Sequence, residues 1–135
     1  MRWHLFDEML ACEPGVSATS VKTFSPTEEF FQDHFPGLPI VPGVLQIEMI
    51  AQTGGRCLSR ALPHKHPVLG TVAYAKFYQQ IAPGDRCLVH ITVTKSRENH
   101  ATVEGWIECN GKKAAAAELL YAFLNRPRVM TGDER

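Results

Sequence analysis

Between residues 44 and about 62, apolar side chains recur at helical spacing and fall on nearly every face. Val44, Leu45, Ile47, Met49, Ile50, Ala51, Cys57 and Leu58 leave little room for a wet side. That pattern predicts one long helix, and a helix apolar all round is a buried one. Pro42 before Gly43 suits its first turn, and Leu62-Pro63 marks its end. Gly54 and Gly55 fall inside it, each costing about 1 kcal/mol relative to Ala. Close approach of the helix to another backbone would account for that cost.

After Pro67 the rhythm changes from about four to two. Residues 68–77 read as a strand, followed by the turn Ala82-Pro83-Gly84-Asp85. Val89, Ile91 and Val93 alternate, as do Val103, Gly105 and Ile107, which predicts two further half-buried strands. Asn110-Gly111 is a strong hairpin signal. Residues 112–124 have a helix-forming composition, but Leu119, Tyr121 and Phe123 alternate on one face, so the hairpin predicts a strand there. At the other end of the chain, Glu13-Pro14-Gly15 predicts a turn between strands at 5–12 and 16–24. Ser25 to Glu29 reads as a turn or helical start that carries Phe30 and Phe31 inward. Five or six strands around one buried helix give an α+β domain, an antiparallel sheet wrapped about that helix.

At 135 residues the chain makes one domain, able to bury roughly 65–70% of its unfolded surface. No internal repeat, low-complexity tract or linker divides it. Formal net charge is zero, which argues against attraction to nucleic acid or anionic lipid. Arg126 with Arg128, and Lys112 with Lys113, read as solvated faces. No run approaches the ~20 apolar residues of a membrane span, and Met1 to Glu8 does not read as a signal peptide. Cys12, Cys57, Cys87 and Cys109 are widely spaced with no CxxC pair. They read as small core fillers in a reducing cytoplasm. His64-Lys65-His66 is a weak zinc signal without a third ligand, so no metal is expected. His4, His90 and His100 have no partner that sequence supplies, and Trp3 and Trp106 read as packing residues.

The chemistry lies in His34-Phe35-Pro36-Gly37-Leu38-Pro39-Ile40-Val41-Pro42-Gly43-Val44-Leu45-Gln46-Ile47-Glu48-Met49-Ile50-Ala51-Gln52. This run sets a titratable imidazole in a stiff Pro/Gly loop and a lone carboxylate inside the start of an apolar helix. Either residue alone reads as structural. Together in this setting they form an acid/base pair facing an apolar cavity. A His with an unperturbed pKa of ~6.5 is a neutral base at cytoplasmic pH. Desolvation on a buried helix favours the protonated form of Glu48, which suits an acid. A helix starting at Pro42-Gly43 presents unpaired N–H groups at its positive dipole end. Gln52, four residues beyond Glu48, shares its face and reads as a support for the carboxylate.

The same run closely resembles the signature of the (3R)-hydroxyacyl-[acyl-carrier-protein] dehydratases of the FabZ type, which have the hot-dog fold. The resemblance extends to Glu13-Pro14-Gly15, to Phe30-Phe31-Gln32-Asp33 before His34, and to Lys76-Phe77 followed by Pro83-Gly84-Asp85. Two departures stand out. The family carries an aromatic-rich segment before the first strand, whereas this sequence begins almost at that strand. Tyr78-Gln79-Gln80 lacks the basic character expected after Phe77.

The resemblance implies that His34 removes the C2 proton of a 3-hydroxyacyl thioester while Glu48 protonates or orients the leaving hydroxyl. The N–H of Gly43 or Val44 would bind the thioester carbonyl. Such a reaction needs no cofactor. The resemblance further implies acyl carrier protein as partner and a homodimer with His34 and Glu48 of one site on different subunits, with a trimer of dimers also open. Other readings remain: a hot-dog thioesterase or hydratase acting on coenzyme A thioesters, or a non-catalytic acyl-binding or scaffold protein.

Overall fold

The computed structural model describes residues 5–25 and 40–125. These form a six-stranded antiparallel sheet and one helix. In chain order the elements are β1 (Glu8–Glu13), β2 (Ser17–Thr23), α1 (Gly43–Ala61), β3 (Lys65–Phe77), β4 (Arg86–Ser96), β5 (His100–Cys109) and β6 (Lys112–Asn125). Across the sheet they run β1-β2-β4-β5-β6-β3. The chain leaves β2 for the helix and returns on the opposite edge as β3. It then lays β4 back against β2, so that α1 lies across the inner face.

Turn chemistry fixes two of the three tight hairpins. Between β1 and β2, Gly15 takes φ +75° and accepts no Cβ without meeting Ala61 at 3.0 Å. Between β5 and β6, Asn110 and Gly111 both have positive φ, 55° and 76°. That is the turn whose twist matches paired strands. Residues 112–124 are therefore strand, and Leu119, Tyr121 and Phe123 point inward as the alternation predicts. The Ala run lets the sheet pass without bulk where β6 lies between β5 and β3.

The core forms between α1 and the inner face. Met49, Ile50, Cys57 and Leu58 of the helix meet Val89, Ile91, Val103, Ile107 and Leu119 of the sheet. Gly105 marks the closest approach, because a Cβ there would stand 2.5 Å from Ile50 Cγ2. Two polar groups in this layer, Ser20 and Thr53, are paired. Thr53 Oγ1 donates to the Met49 carbonyl at 2.9 Å and lies 2.7 Å from Ser20 Oγ on β2. Cys57, Cys87 and Cys109 are buried fillers, with Cys109 Sγ donating to Cys87 Sγ across β4 and β5.

Two expectations are corrected. The helix is not enclosed all round: Val44 is 69% exposed, Arg56 is exposed, and Glu48 and Gln52 are half-buried. The sheet curls around only one side, so one flank of α1 stays open in the single chain. Nor does a second backbone explain the glycine pair. At Gly54 an added Cβ would meet the Tyr121 hydroxyl at 2.7 Å and Val103 Cγ1 at 3.3 Å, both side-chain atoms. Gly55 is roomier, with Tyr121 Cε2 at 3.8 Å as its nearest neighbour.

Candidate active site

Glu48 sits on the open flank of α1, one turn beyond the helix start. It borders a cleft of about 290 Å³ between α1 and β3, whose walls include Gln52, Arg56, His66, Leu69 and Tyr121. The Gln52 amide is held at both ends. Its Oε1 accepts the backbone N–H of Leu5 at 2.8 Å, and its Nε2 donates to Glu48 Oε2 at 3.1 Å. Because Leu5 occupies the oxygen, the NH₂ end must face the carboxylate, whose position is thereby fixed. The expected Glu48–Gln52 pairing is thus present in the geometry, with Leu5 as an anchor that sequence did not reveal.

Tyr121 forms the floor beneath this pair. It is 3% exposed, and its hydroxyl donates to the Ala51 carbonyl at 2.6 Å. Burial first, then the neighbouring Glu48 charge, pushes this phenol well above the ordinary tyrosine range. It therefore stays a donor at any working pH. Among the predicted inward residues of β6 it is the one with a polar tip, but nothing in the sequence says that the tip reaches α1.

Gly43 and Val44 border a second cavity, about 500 Å³, at the N-terminal end of α1. Its walls also include Val41, Gln46, Phe77 and Tyr78. The Pro42 carbonyl accepts from Leu45 and Gln46 at 3.1 and 3.2 Å, and no side chain caps the helix. The N–H groups of Gly43 and Val44 have no acceptor among the described residues. The Phe77 ring lies over Gly43, with Cζ 3.0 Å from where a Cβ would be, so a larger residue there would have to push the ring aside by a few tenths of an ångström. In the single chain the carboxylate and these N–H donors thus border two different cavities. His34, with Phe30 and Phe31, lies outside the described residues.

Elsewhere, His90 finds partners that sequence could not supply. It reaches Glu108 at 3.2 Å and Thr19 at 3.3 Å, and stacks on Trp106 on the outer face of the sheet. Trp106 thus packs against a side chain, as its reading predicts. Among the described residues no group of three His, Cys, Asp or Glu side chains is placed to hold a metal ion. No described helix is long and apolar enough to cross a membrane.

The chain matches the family described as ApeI-like (ApeI dehydratase) over residues 12–116. It is 38% identical over 122 residues to the 3-hydroxyacyl-[acyl-carrier-protein] dehydratase FabZ of Clostridium acetobutylicum, covering 89% of this chain and 86% of that one. With the FabZ of Pediococcus pentosaceus it shares 40% identity over 111 residues, 81% of this chain and 74% of that one. Among solved structures, it is similar to the dehydratase heterocomplex ApeI:P from Xenorhabdus doucetiae, with a TM-score of 0.71 at 20% identity. That alignment covers 91% of this chain and 84% of the other. A Streptococcus mutans protein, smu.793 bound to acetyl CoA, gives 0.74 at 12% identity over 95% of both chains. These structural likenesses carry the hot-dog fold, and the sequence matches carry more: this chain belongs to the FabZ-like 3-hydroxyacyl-[acyl-carrier-protein] dehydratase family.

Proposed function

We propose that this protein is a dehydratase that removes water from 3-hydroxyacyl thioesters on acyl carrier protein, giving trans-2-enoyl thioesters. The observation that carries the reading is Glu48, clamped by Gln52 at 3.1 Å beside a cleft within a family-like dehydratase sequence. The resemblance assigns the base to His34. Its neutral imidazole takes the C2 proton, and the electron pair moves into the C2–C3 bond as the C3–O bond breaks. Glu48 delivers the proton that lets hydroxide leave as water. The N–H groups of Gly43 or Val44 stabilise the charge developing on the thioester oxygen. The bonds change without net oxidation, so the protein's own acid and base suffice.

The site is completed by a second copy. Strand β3 is one of the two edges of the sheet and, among the described residues, pairs only with β6. It exposes Val68, Val72, Tyr74 and Phe77. An unpaired, apolar edge invites a second chain to extend the sheet about a two-fold axis. The Glu48 cleft is walled by the same strand through His66, Pro67 and Leu69. A partner docked along β3 reaches the cleft and closes the open flank of α1, and the family resemblance assigns the partner's His34 to the same site as Glu48. Three such dimers forming a hexamer extend the same reading, and the cytoplasm is the compartment it implies.

The test is hydration of a trans-2-enoyl thioester, run with both carrier-protein and coenzyme A forms and followed as loss of the conjugated absorbance. The protein is expected to hydrate the carrier-bound form. Absence of turnover on either thioester by well-folded protein would overturn the reading.

A further inference from the structure

The cleft beside Glu48 is not lined as a plain hydrocarbon tail would require. Away from the carboxylate, along α1, its wall passes Gln52 and reaches Arg56 and Ser59, with His66 contributed by β3. Arg56 follows Glu48 by two helical turns on the same flank, about 12 Å along the axis. Both Arg56 and His66 are exposed, so a ligand in the cleft can touch them. A pocket for an unsubstituted chain is lined mainly by apolar groups. This end offers a permanent positive charge, a hydroxyl and an imidazole instead.

Among the described residues no carboxylate pairs with Arg56. Its guanidinium lies over the Phe6 ring, 5.7 Å from the centroid. That contact steadies the side chain and leaves its N–H groups available. A second copy docked along β3 does not supply the counter-charge. A two-fold interface presents the same surface from both sides. Strand β3 carries no Asp or Glu, and the one acid on α1 is Glu48, which the proposed reaction engages. Covering the open flank would therefore desolvate a cation that neither β3 nor α1 of the partner neutralises.

We infer that Arg56, with Ser59 and His66 beside it, receives a carboxylate at the far end of the acyl chain. The preferred substrates are then ω-carboxyacyl thioesters of medium length. This rests on the proposed thioester chemistry and adds a specificity-determining residue to it. Arginine suits the role, because its planar fork bonds both carboxylate oxygens at once.

The test compares two tails on one thioester. The trans-2-decenoyl and trans-2-decenedioyl thioesters of N-acetylcysteamine differ only in a terminal methyl or carboxylate. Neither carries the phosphate of the carrier's arm, so that anion cannot produce a preference. Full-length protein should prefer the carboxylate by on the order of tenfold in kcat/KM, with the difference in KM. Arg56→Gln should lower activity on the acid to the level of the plain chain and spare the latter, whereas Arg56→Lys should keep part of the preference. A wild type without preference, or a preference that persists in Arg56→Gln, overturns the inference. Equal losses on both thioesters also overturn it, since Arg56 would then serve assembly or pair with the partner's Glu48. The saturated decanoyl and decanedioyl thioesters, titrated by NMR, separate the inference from the function it rests on. Arg56-dependent preference for the acid in binding, without turnover of either enoyl thioester, would sustain the subsite and overturn the dehydratase reading. Turnover of the plain chain with no preference for the acid would do the reverse. No turnover and no preference in binding would overturn both.

Discussion

The two sides of α1 obey different rules. On the core side, Met49, Ile50, Thr53 and Cys57 are sealed, and the Thr53 hydroxyl is paired. On the open side, Val44, Glu48, Gln52 and Arg56 follow one another at four-residue steps, between half-buried and exposed. Hydrophobicity does not separate them, since Val44 is as apolar as the residues of the core and yet 69% exposed. The separation comes from the sheet, which curls over one side and leaves the other open. The core side sets stability and, on the proposed function, the open side sets activity, so substitutions on each should move one property and spare the other.

The largest effect is expected on the open side. Glu48→Gln should lower turnover by at least about 100-fold, the lower range for losing a general acid. Its melting temperature should stay within about 2 °C, because a half-exposed group carries little of the fold. A comparable drop in melting temperature and activity together would erase the contrast between the two sides.

The glycine pair sharpens the contrast at higher resolution. Gly54→Ala drives a methyl into the Tyr121 hydroxyl and should destabilise by about 1–3 kcal/mol in chemical denaturation. Gly55→Ala meets only ordinary contact and should stabilise by up to about 1 kcal/mol through helix propensity. Adding Tyr121→Phe to Gly54→Ala should recover part of the loss, the coupling expected of groups in contact.

Tyr121→Phe alone should cost about 1 kcal/mol, the net worth of its bond to Ala51. It should also change the alkaline limb of stability. Above about pH 10 the unfolded chain releases the phenolic proton while the folded protein retains it, so native stability falls as pH rises. The gap between wild type and Tyr121→Phe, measured by denaturation from pH 8 to 11, should therefore narrow with rising pH. A gap that widens would reverse the assignment of the phenol as a buried neutral donor.

Much of this architecture is legible in the sequence, because it depends on local signals. Asn110-Gly111 demands a hairpin, and its demand outweighs the helix propensity of residues 112–124. The helix bounds follow from Pro42 and Leu62-Pro63. Glu48 and Gln52 are legible because four residues separate them on one helix. What escaped sequence depends on distant partners: Tyr121 reaches Ala51 across 70 positions, and Leu5 reaches Gln52 across 47. No local rule states which way a strand residue's polar tip will turn.

The most direct test of the account is complementation between two inactive chains. Its central claim is that Glu48 on the open flank of one copy works with His34 of another. His34→Ala and Glu48→Gln should each be inactive alone, yet mixing them under conditions that exchange subunits should rebuild one intact site per mixed dimer. Enoyl-thioester hydration should then return to about a quarter of the wild-type level, the share expected for random two-fold pairing. A mixture that exchanges subunits and remains as inactive as its parents would contradict the claim.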